Sequence, residues 1–130
     1  MTFSLVARCK ETGMFGIAIS SSSPAVAARC SYTRAGVGAV ASQNITDPTL
    51  GPGALDLMQG GLSAPEAIAK LQAERNFMDY RQVLAIDTVG KTAIHSGTRA
   101  LGIWTCPLYP SDAVDDLSRR HPHRGPRTTN

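Results

Sequence analysis

The helical periodicity of this chain is confined to one central block, and short strand-like runs lie on both sides of it. A short helix over residues 54–59 is stopped by a pair of glycines, which suit a left-handed cap. A second helix starts with the capping-box pattern of Ser63 and Glu66 and ends near Asn76. Helices grouped between antiparallel strands predict an α+β layered fold rather than alternating βαβ units.

The strand-like runs predict two β-hairpins and one further strand. Residues 2–8 and 15–20 form the first hairpin across a polar turn that ends at Gly13. Residues 15–20 are small and apolar on both faces, so we expect this strand to be covered on both sides. Residues 44–52 contain prolines and a glycine and predict a loop. The other strands are predicted at residues 36–43, 82–87 and 91–95, with Asp87 as a turn former.

Length and composition limit the organisation to one domain. The chain has 130 residues, of which 42% are hydrophobic and 18% charged. We predict a domain over residues 1–103. Residues 104–130 are rich in proline and arginine and lack a hydrophobic period, so they are expected to be a poorly ordered tail.

Several function classes are disfavoured by composition. The net charge is +3 and aromatic residues make up 5%, with no basic stripe, so no nucleic-acid partner is expected. The sequence has no long apolar stretch and no signal-peptide pattern, so neither a membrane partner nor secretion is predicted. The three cysteines lack CxxC spacing, which favours reduced thiols in the cytoplasm. Neither a metal ion nor a cofactor is expected, since the cysteines and histidines lack metal-ligand spacing.

Thr2 is the candidate nucleophile on chemical grounds. Methionine aminopeptidases remove Met1 when the second residue is small, and threonine qualifies. The freed residue carries a hydroxyl beside an α-amine, whose pKa of about 7.7–8.0 leaves part of it neutral and able to accept the hydroxyl proton. The alternative is that Thr2 serves only as a β-former at the start of a strand.

Six segments of the chain resemble an uncharacterised bacterial family with an N-terminal-nucleophile (Ntn) hydrolase-like fold. They are TFSLVAR, ETGMFGIAIS, SPAVAAR, RAGVGAVASQNITDPTLGP, GLSAPEA and HSG. The resemblance runs from Thr2 to about Ile103 and implies an αββα sandwich. Family members are longer than this chain, so the layered sheet is expected to be incomplete. A frameshift, a truncation or a natural short variant would each explain the divergent tail.

Further catalytic candidates are Ser21, Gln43 and His95. The resemblance singles out Ser21 in the serine run at the end of the second strand, where hydroxyls can orient a carbonyl or donate to an oxyanion. Gln43 follows a buried-type strand and can polarise a carbonyl or imine. His95 is a candidate for proton transfer because histidine is a common general acid or base. The alternative for Ser21 is a solvated strand end, the alternative for Gln43 is a turn cap, and the alternative for His95 is a purely structural role.

The candidates for substrate binding are Arg8, Arg29, Arg34 and Asn44. An arginine fork suits a carboxylate, and Arg29 is the strongest because it lies within the SPAVAAR resemblance. A surface charge is the alternative for each arginine, and a turn cap is the alternative for Asn44.

These features together predict a cofactor-free hydrolase acting on a C–N bond in small-molecule catabolism. It would be an amidohydrolase, or a hydrolytic deaminase of an enamine or imine acid such as an aminomuconate-type compound. The expected partners are a small carboxylate-bearing substrate and further copies of the chain in a homo-oligomer. A non-catalytic binding or assembly subunit, and a truncated inactive family member, are the alternatives.

Overall fold

The computed structural model describes residues 2–45 and 47–100, so the predicted tail lies outside the described residues. The fold is α+β with antiparallel sheets, as predicted. The strands are β1 (Thr2–Arg8), β2 (Phe15–Ser21), β3 (Ser31–Arg34), β4 (Gly38–Asn44), β5 (Arg81–Asp87) and β6 (Thr92–Ser96). The α-helices are α1 (Ala27–Cys30), α2 (Leu50–Gln59) and α3 (Ala64–Glu74), and a 3-10 turn covers Met78–Tyr80.

The described residues form three layers. Strands β1 and β2 make a hairpin that packs on one face of the four-stranded sheet β3-β4-β5-β6, and α2 and α3 cover the other face. Between the hairpin and the sheet lie Val6, Ala39, Ala41 and Ile86. Between the sheet and the helices lie Val40, Leu50, Ala54, Ile68, Leu71 and Val83. Burial of these apolar side chains on both faces of the sheet stabilises the stack.

Strand β4 is the centre of the stack and fixes which side chains face which layer. Ala39 and Ala41 contact the hairpin side, whereas Val40 contacts the helices. Side chains alternate along a strand, so Gln43 belongs to the hairpin side. Small residues suit a strand that must be approached closely by a second sheet and by helices.

Two parts of the fold differ from the sequence prediction. Helix α2 begins at Leu50, within the segment predicted as a loop, and α1 and β3 lie between predicted strands. Pro52 is tolerated in α2 because the N–H groups of the first helical turn have no partner within the helix. Gly51 allows the helix to approach Tyr32, since a Cβ at this position would lie 2.0 Å from the Tyr32 ring.

The expectation that β2 is covered on both sides is wrong for the described residues. Its outward positions Gly16 and Ala18 are exposed. On the same face of the hairpin, Phe3 is 66% exposed and Leu5 is 53% exposed. The outer face of the hairpin, defined by Phe3, Leu5 and Ala18, is therefore apolar and uncovered by the described chain.

The predicted start of the second helix is confirmed. The Ser63 backbone N–H donates to Glu66 at 2.8 Å, and Pro65 lies in the first turn. The hydrogen bond from the Ser63 hydroxyl is the main reason that the pKa of Glu66 is lowered. No helix among residues 2–45 and 47–100 has the length and apolar character needed to cross a bilayer.

Candidate functional site

The hydroxyl groups of Thr2 and Ser21 form a pair at one end of the hairpin. The register of β1 and β2 places Thr2 directly opposite Ser21, and their side-chain oxygens lie 2.8 Å apart. The Ser23 backbone N–H donates to Ser21 Oγ at 3.1 Å. Both hydroxyl-bearing residues are half-buried on the inward face of the hairpin. The predicted nucleophile and the predicted serine are therefore in direct contact.

A guanidinium is connected to this pair through one further serine. Arg29 of α1 donates from Nη2 to Ser23 Oγ. Ser23 thus carries a hydrogen-bond path from Thr2 and Ser21 to Arg29. Arginine has several N–H donors, and the bond to Ser23 uses one of them. Sequence reasoning singled out Arg29 but missed the bridging role of Ser23, although that residue stands in the recognised serine run.

The same hydrogen bonds locate the Thr2 end of the hairpin over one end of the sheet. Arg29 lies two residues before Ser31, which begins β3 and pairs with Ala41. Gln43 lies two residues further along β4 on the same face, at the end of that strand. The Thr2 end of the hairpin therefore lies over the end of the sheet at which β3 begins and β4 ends.

Polar side chains occupy the hairpin-facing side of the sheet at this end. Gln43 pairs with Gln82 in the register of β4 and β5, and Gln82 pairs with Ser96 on β6. Gln82 Nε2 donates to Ser96 Oγ at 2.9 Å. We call Thr2, Ser4, Ser21, Gln43, Gln82 and Ser96 the polar cluster.

Two buried atoms of the polar cluster have no hydrogen-bond partner among the described residues. They are Gln43 Oε1 and Ser4 Oγ. A buried polar atom is nearly always hydrogen-bonded in a native protein, so these two atoms hold hydrogen-bonding capacity that the described residues do not use, as do Arg8 Nε, Ser42 Oγ and Arg81 Nε outside the cluster. Sequence reasoning missed Ser4, which the alternation of side chains along β1 could have identified because Ser4 shares a face with Thr2. Gln82 and Ser96 could be identified only once the pairing between strands was known.

His95 does not belong to the polar cluster. It lies opposite Val83 in the register of β5 and β6, on the helix side of the sheet. The side chain is buried, and Nε2 lies 2.9 Å from the Met78 carbonyl oxygen. Because a carbonyl only accepts, Nε2 donates and the imidazole is held as a structural group. The sheet separates it from Thr2, so the structure does not support His95 as a proton shuttle for that residue.

Three of the predicted binding residues also lie away from Thr2. Arg8 ends β1, about 20 Å along the strand from Thr2. Arg34 bonds to Asp56 at 2.9 Å and to Gln59 at 2.5 Å on α2. Asn44 is the last residue of β4 and has a left-handed φ of 76°, which fits a turn position. Half of the predicted site residues come together: Thr2, Ser21, Arg29 and Gln43.

Two of the arginines near this end of the sheet are Arg81 and Arg29. Arg81, which pairs with Asn44, lies 3.7 Å from the Asp47 carboxylate and donates to the Ile45 carbonyl at 2.9 Å. The Thr49 hydroxyl is the main cause of the lowered pKa of Asp47, so this carboxylate remains available to Arg81. Arg29 is exposed and bonds to a neutral hydroxyl. Of these two arginines, Arg29 is the better placed to receive a substrate carboxylate.

Comparison with known proteins places the chain among proteins of unknown function. A family model described as a family of unknown function (DUF1028) matches residues 2–114. The crystal structure of protein SPO2555 from Silicibacter pomeroyi, described as a DUF1028 protein, matches with a TM-score of 0.74 and 29% identity. The match covers 78% of this chain and 48% of that chain, so this chain spans about half the length of that relative. None of the curated proteins compared with the chain matches it.

Proposed function

Since this chain belongs to DUF1028, a family of unknown function, we propose its activity from its own residues. The activity is cofactor-free hydrolysis of a C–N bond in a small molecule that carries a carboxylate. Thr2 is the nucleophile, and the cytoplasm is the compartment. The observation that carries the proposal is the 2.8 Å contact between the Thr2 and Ser21 hydroxyl groups, which Ser23 connects to the Arg29 guanidinium.

The architecture supports an Ntn-hydrolase-like fold. The hairpin packs on one face of the antiparallel sheet, and the helices pack on the other face. These three layers correspond to three of the four layers of an αββα sandwich. Thr2 at the start of β1 lies at the inward face, where an N-terminal nucleophile needs to be. The fourth layer belongs on the exposed outer face of the hairpin.

The proposed reaction uses one residue as both nucleophile and base. After removal of Met1, the neutral α-amine of Thr2 accepts the hydroxyl proton while Oγ1 attacks the substrate carbon. The tetrahedral intermediate collapses with transfer of that proton to the leaving nitrogen, and ammonia departs. Water then hydrolyses the acyl ester and regenerates Thr2. An enamine acid first takes a proton at carbon to become the imine. The Thr2 amine then accepts a proton from the water that adds to the imine carbon and passes it to the nitrogen, so ammonia leaves and a keto acid remains.

The neighbouring residues have supporting roles in this scheme. Ser21 holds the Thr2 hydroxyl in position and donates to developing negative charge. Arg29 binds the substrate carboxylate, for which its planar fork is suited. His95 has no part in the scheme, because it lies on the other side of the sheet.

The first test combines a mass measurement with an activity screen. We expect the intact mass of the purified protein to correspond to a chain that begins at Thr2. We also expect ammonia release from monoamides of C3–C6 dicarboxylic acids or from amino-acid-derived enamines. A retained Met1 would block the amine mechanism. Absence of ammonia from the whole panel would exclude the proposed substrate class.

The second part of the proposal is that the chain forms a homo-oligomer. Self-association is also expected if the chain is a non-catalytic assembly subunit instead of an enzyme. The outer face of the hairpin exposes Phe3 and Leu5, and exposed apolar patches on a soluble protein commonly mark interaction surfaces. We propose that a second copy of the chain covers this face. If the chain is an inactive, truncated family member, it would have the same apolar outer face on the hairpin but would not hydrolyse the substrate.

Sedimentation velocity tests this assembly. The wild-type protein is expected to sediment as a dimer or larger species, and Phe3→Ser is expected to shift it toward the monomer. Val89→Ser is the matched control, because Val89 is 74% exposed at the turn between β5 and β6. A wild-type monomer at all concentrations, or an equal shift in both variants, would contradict the proposed interface.

A further inference from the structure

We propose that Gln43 recognises the leaving nitrogen of the substrate, so that the site accepts primary carboxamides and discriminates against esters of the same acid. This inference rests on the proposed function and narrows its substrate class. It assigns Gln43 a role in specificity, which is distinct from the nucleophilic role of Thr2. The argument depends on the buried Oε1 atom of Gln43 and on its neighbours in the polar cluster.

Gln43 Oε1 is an acceptor that has no donor in the protein. It is buried, and no described residue hydrogen-bonds to it. The nearest amide in the register belongs to Gln82, whose Nε2 donates one N–H to Ser96 at 2.9 Å and makes no hydrogen bond to Gln43 Oε1. A carbonyl oxygen can only accept hydrogen bonds. The group that satisfies Gln43 must therefore bring an N–H or O–H donor.

Ser4 supplies the complementary half of the recognition. It lies two residues from Thr2 on the inward face of β1, and its buried Oγ also has no partner among the described residues. A hydroxyl can donate as well as accept. A carboxamide presents N–H donors and a carbonyl acceptor on one carbon. An acceptor at Gln43 on the sheet and a donor at Ser4 on the hairpin, on the sides of these two layers that face each other, match that pattern.

An ester cannot make the same contact. Its leaving oxygen has lone pairs but no hydrogen, so it would face Gln43 Oε1 with acceptor against acceptor. Sites built to hydrogen-bond a substrate N–H or O–H discriminate strongly against analogues that lack it, because the buried protein group is then left unpaired. In the reaction, one N–H donates to Gln43 while Thr2 Oγ1 bonds to the acyl carbon, and the nitrogen leaves as ammonia.

The experiment compares succinamic acid with monomethyl succinate, together with their C3, C5 and C6 homologues. These pairs share an acyl group and a carboxylate and differ only in the leaving group. We expect Gln43→Leu to lower the amide-to-ester ratio of kcat/KM by about a hundredfold. Gln43→Glu keeps an acceptor oxygen and is expected to retain most of the ratio. Gln72→Leu is the control, because Gln72 is an exposed glutamine on α3. An unchanged ratio in Gln43→Leu would overturn the inference.

Binding to an inactive variant separates this inference from the proposed function. In Thr2→Val, calorimetry is expected to show that the amide binds at least about tenfold more tightly than the ester. Adding Gln43→Leu should remove that difference. Equal affinities in Thr2→Val would refute the role of Gln43 whether or not turnover is observed. If the amide is selected but never hydrolysed, the hydrolase proposal fails and amide recognition stands.

Discussion

Replacing Thr2 by valine is expected to lower ammonia release by about a thousandfold or more, because it removes the nucleophilic oxygen. Valine has nearly the same shape and β-propensity as threonine, and it still permits removal of Met1. The hairpin should therefore form normally, and only the 2.8 Å contact with Ser21 is lost. The measurement is kcat/KM for the best amide of the panel, with circular dichroism to establish that the variant is folded.

Two further variants give this prediction its controls. Thr2→Ser keeps both the hydroxyl and the α-amine, so it is expected to retain turnover within about tenfold of the wild type. Ser21→Ala leaves the nucleophile but removes its partner, so an intermediate loss of about tenfold to a hundredfold is expected. Undiminished turnover in Thr2→Val would show that another residue attacks the substrate.

The contact between Thr2 and Ser21 follows from local pattern. A polar turn that ends at Gly13 fixes the register of two adjacent strands. In that register Thr2 falls opposite Ser21, so a hairpin prediction already implies that the two hydroxyl groups are neighbours. Arg29 is also close in sequence, and a short helix is enough to bring it to Ser23. These parts of the site need no information about distant strands.

The site residues on strands that are distant in sequence could not be predicted from local pattern. Gln43, Gln82 and Ser96 come together only through the pairing of β4 with β5 and of β5 with β6. His95 illustrates the opposite outcome, since it stands next to Ser96 and yet faces the helices. A shift of one residue along a strand reverses the face on which a side chain lies. The sequence of β6 alone does not indicate which of these two residues faces the hairpin.

Packing also decided the start of α2 against its local sequence. Prolines and a glycine in residues 44–52 predict a loop, but the end of this segment, from Leu50, forms the first turn of a helix. Leu50 is fully buried, and Gly51 is the residue that lets Tyr32 lie against the helix. Burial of Leu50 and contact with Tyr32 therefore outweigh the weak helix propensity of this segment.

Asp87 is the residue whose replacement is expected to cost the most stability. Its carboxylate is 4% exposed and accepts three backbone hydrogen bonds. One oxygen binds the N–H groups of Val89 and Lys91 at 3.0 and 2.9 Å, which confirms Asp87 as a turn former. The other oxygen binds the N–H of Ala64 at 3.0 Å, the first residue of α3. One carboxylate therefore joins the turn between β5 and β6 to a helix N-terminus.

Asp87→Ala is expected to lower the free energy of unfolding by about 3 kcal/mol, because a buried charged acceptor is removed and its donors are left behind. Asp87→Asn keeps one carbonyl acceptor and should lose about half as much. Urea denaturation measures both, and a change in the midpoint at constant slope identifies a loss of stability. An alanine variant as stable as the wild type would mean that solvent replaces all three bonds.

The position of Asp87 allows stability and chemistry to be tested separately. It pairs with Gly38 at one end of β4, whereas Gln43 and Gln82 pair near the other end, under Thr2. We therefore expect the folded fraction of Asp87→Ala, assayed well below its denaturation midpoint, to release ammonia at the wild-type kcat/KM. Thr2→Val should show the reverse behaviour, with normal stability and a kcat/KM lowered by about a thousandfold or more. If Asp87→Ala instead lost activity while folded, the active groups would have to depend on the turn and on α3.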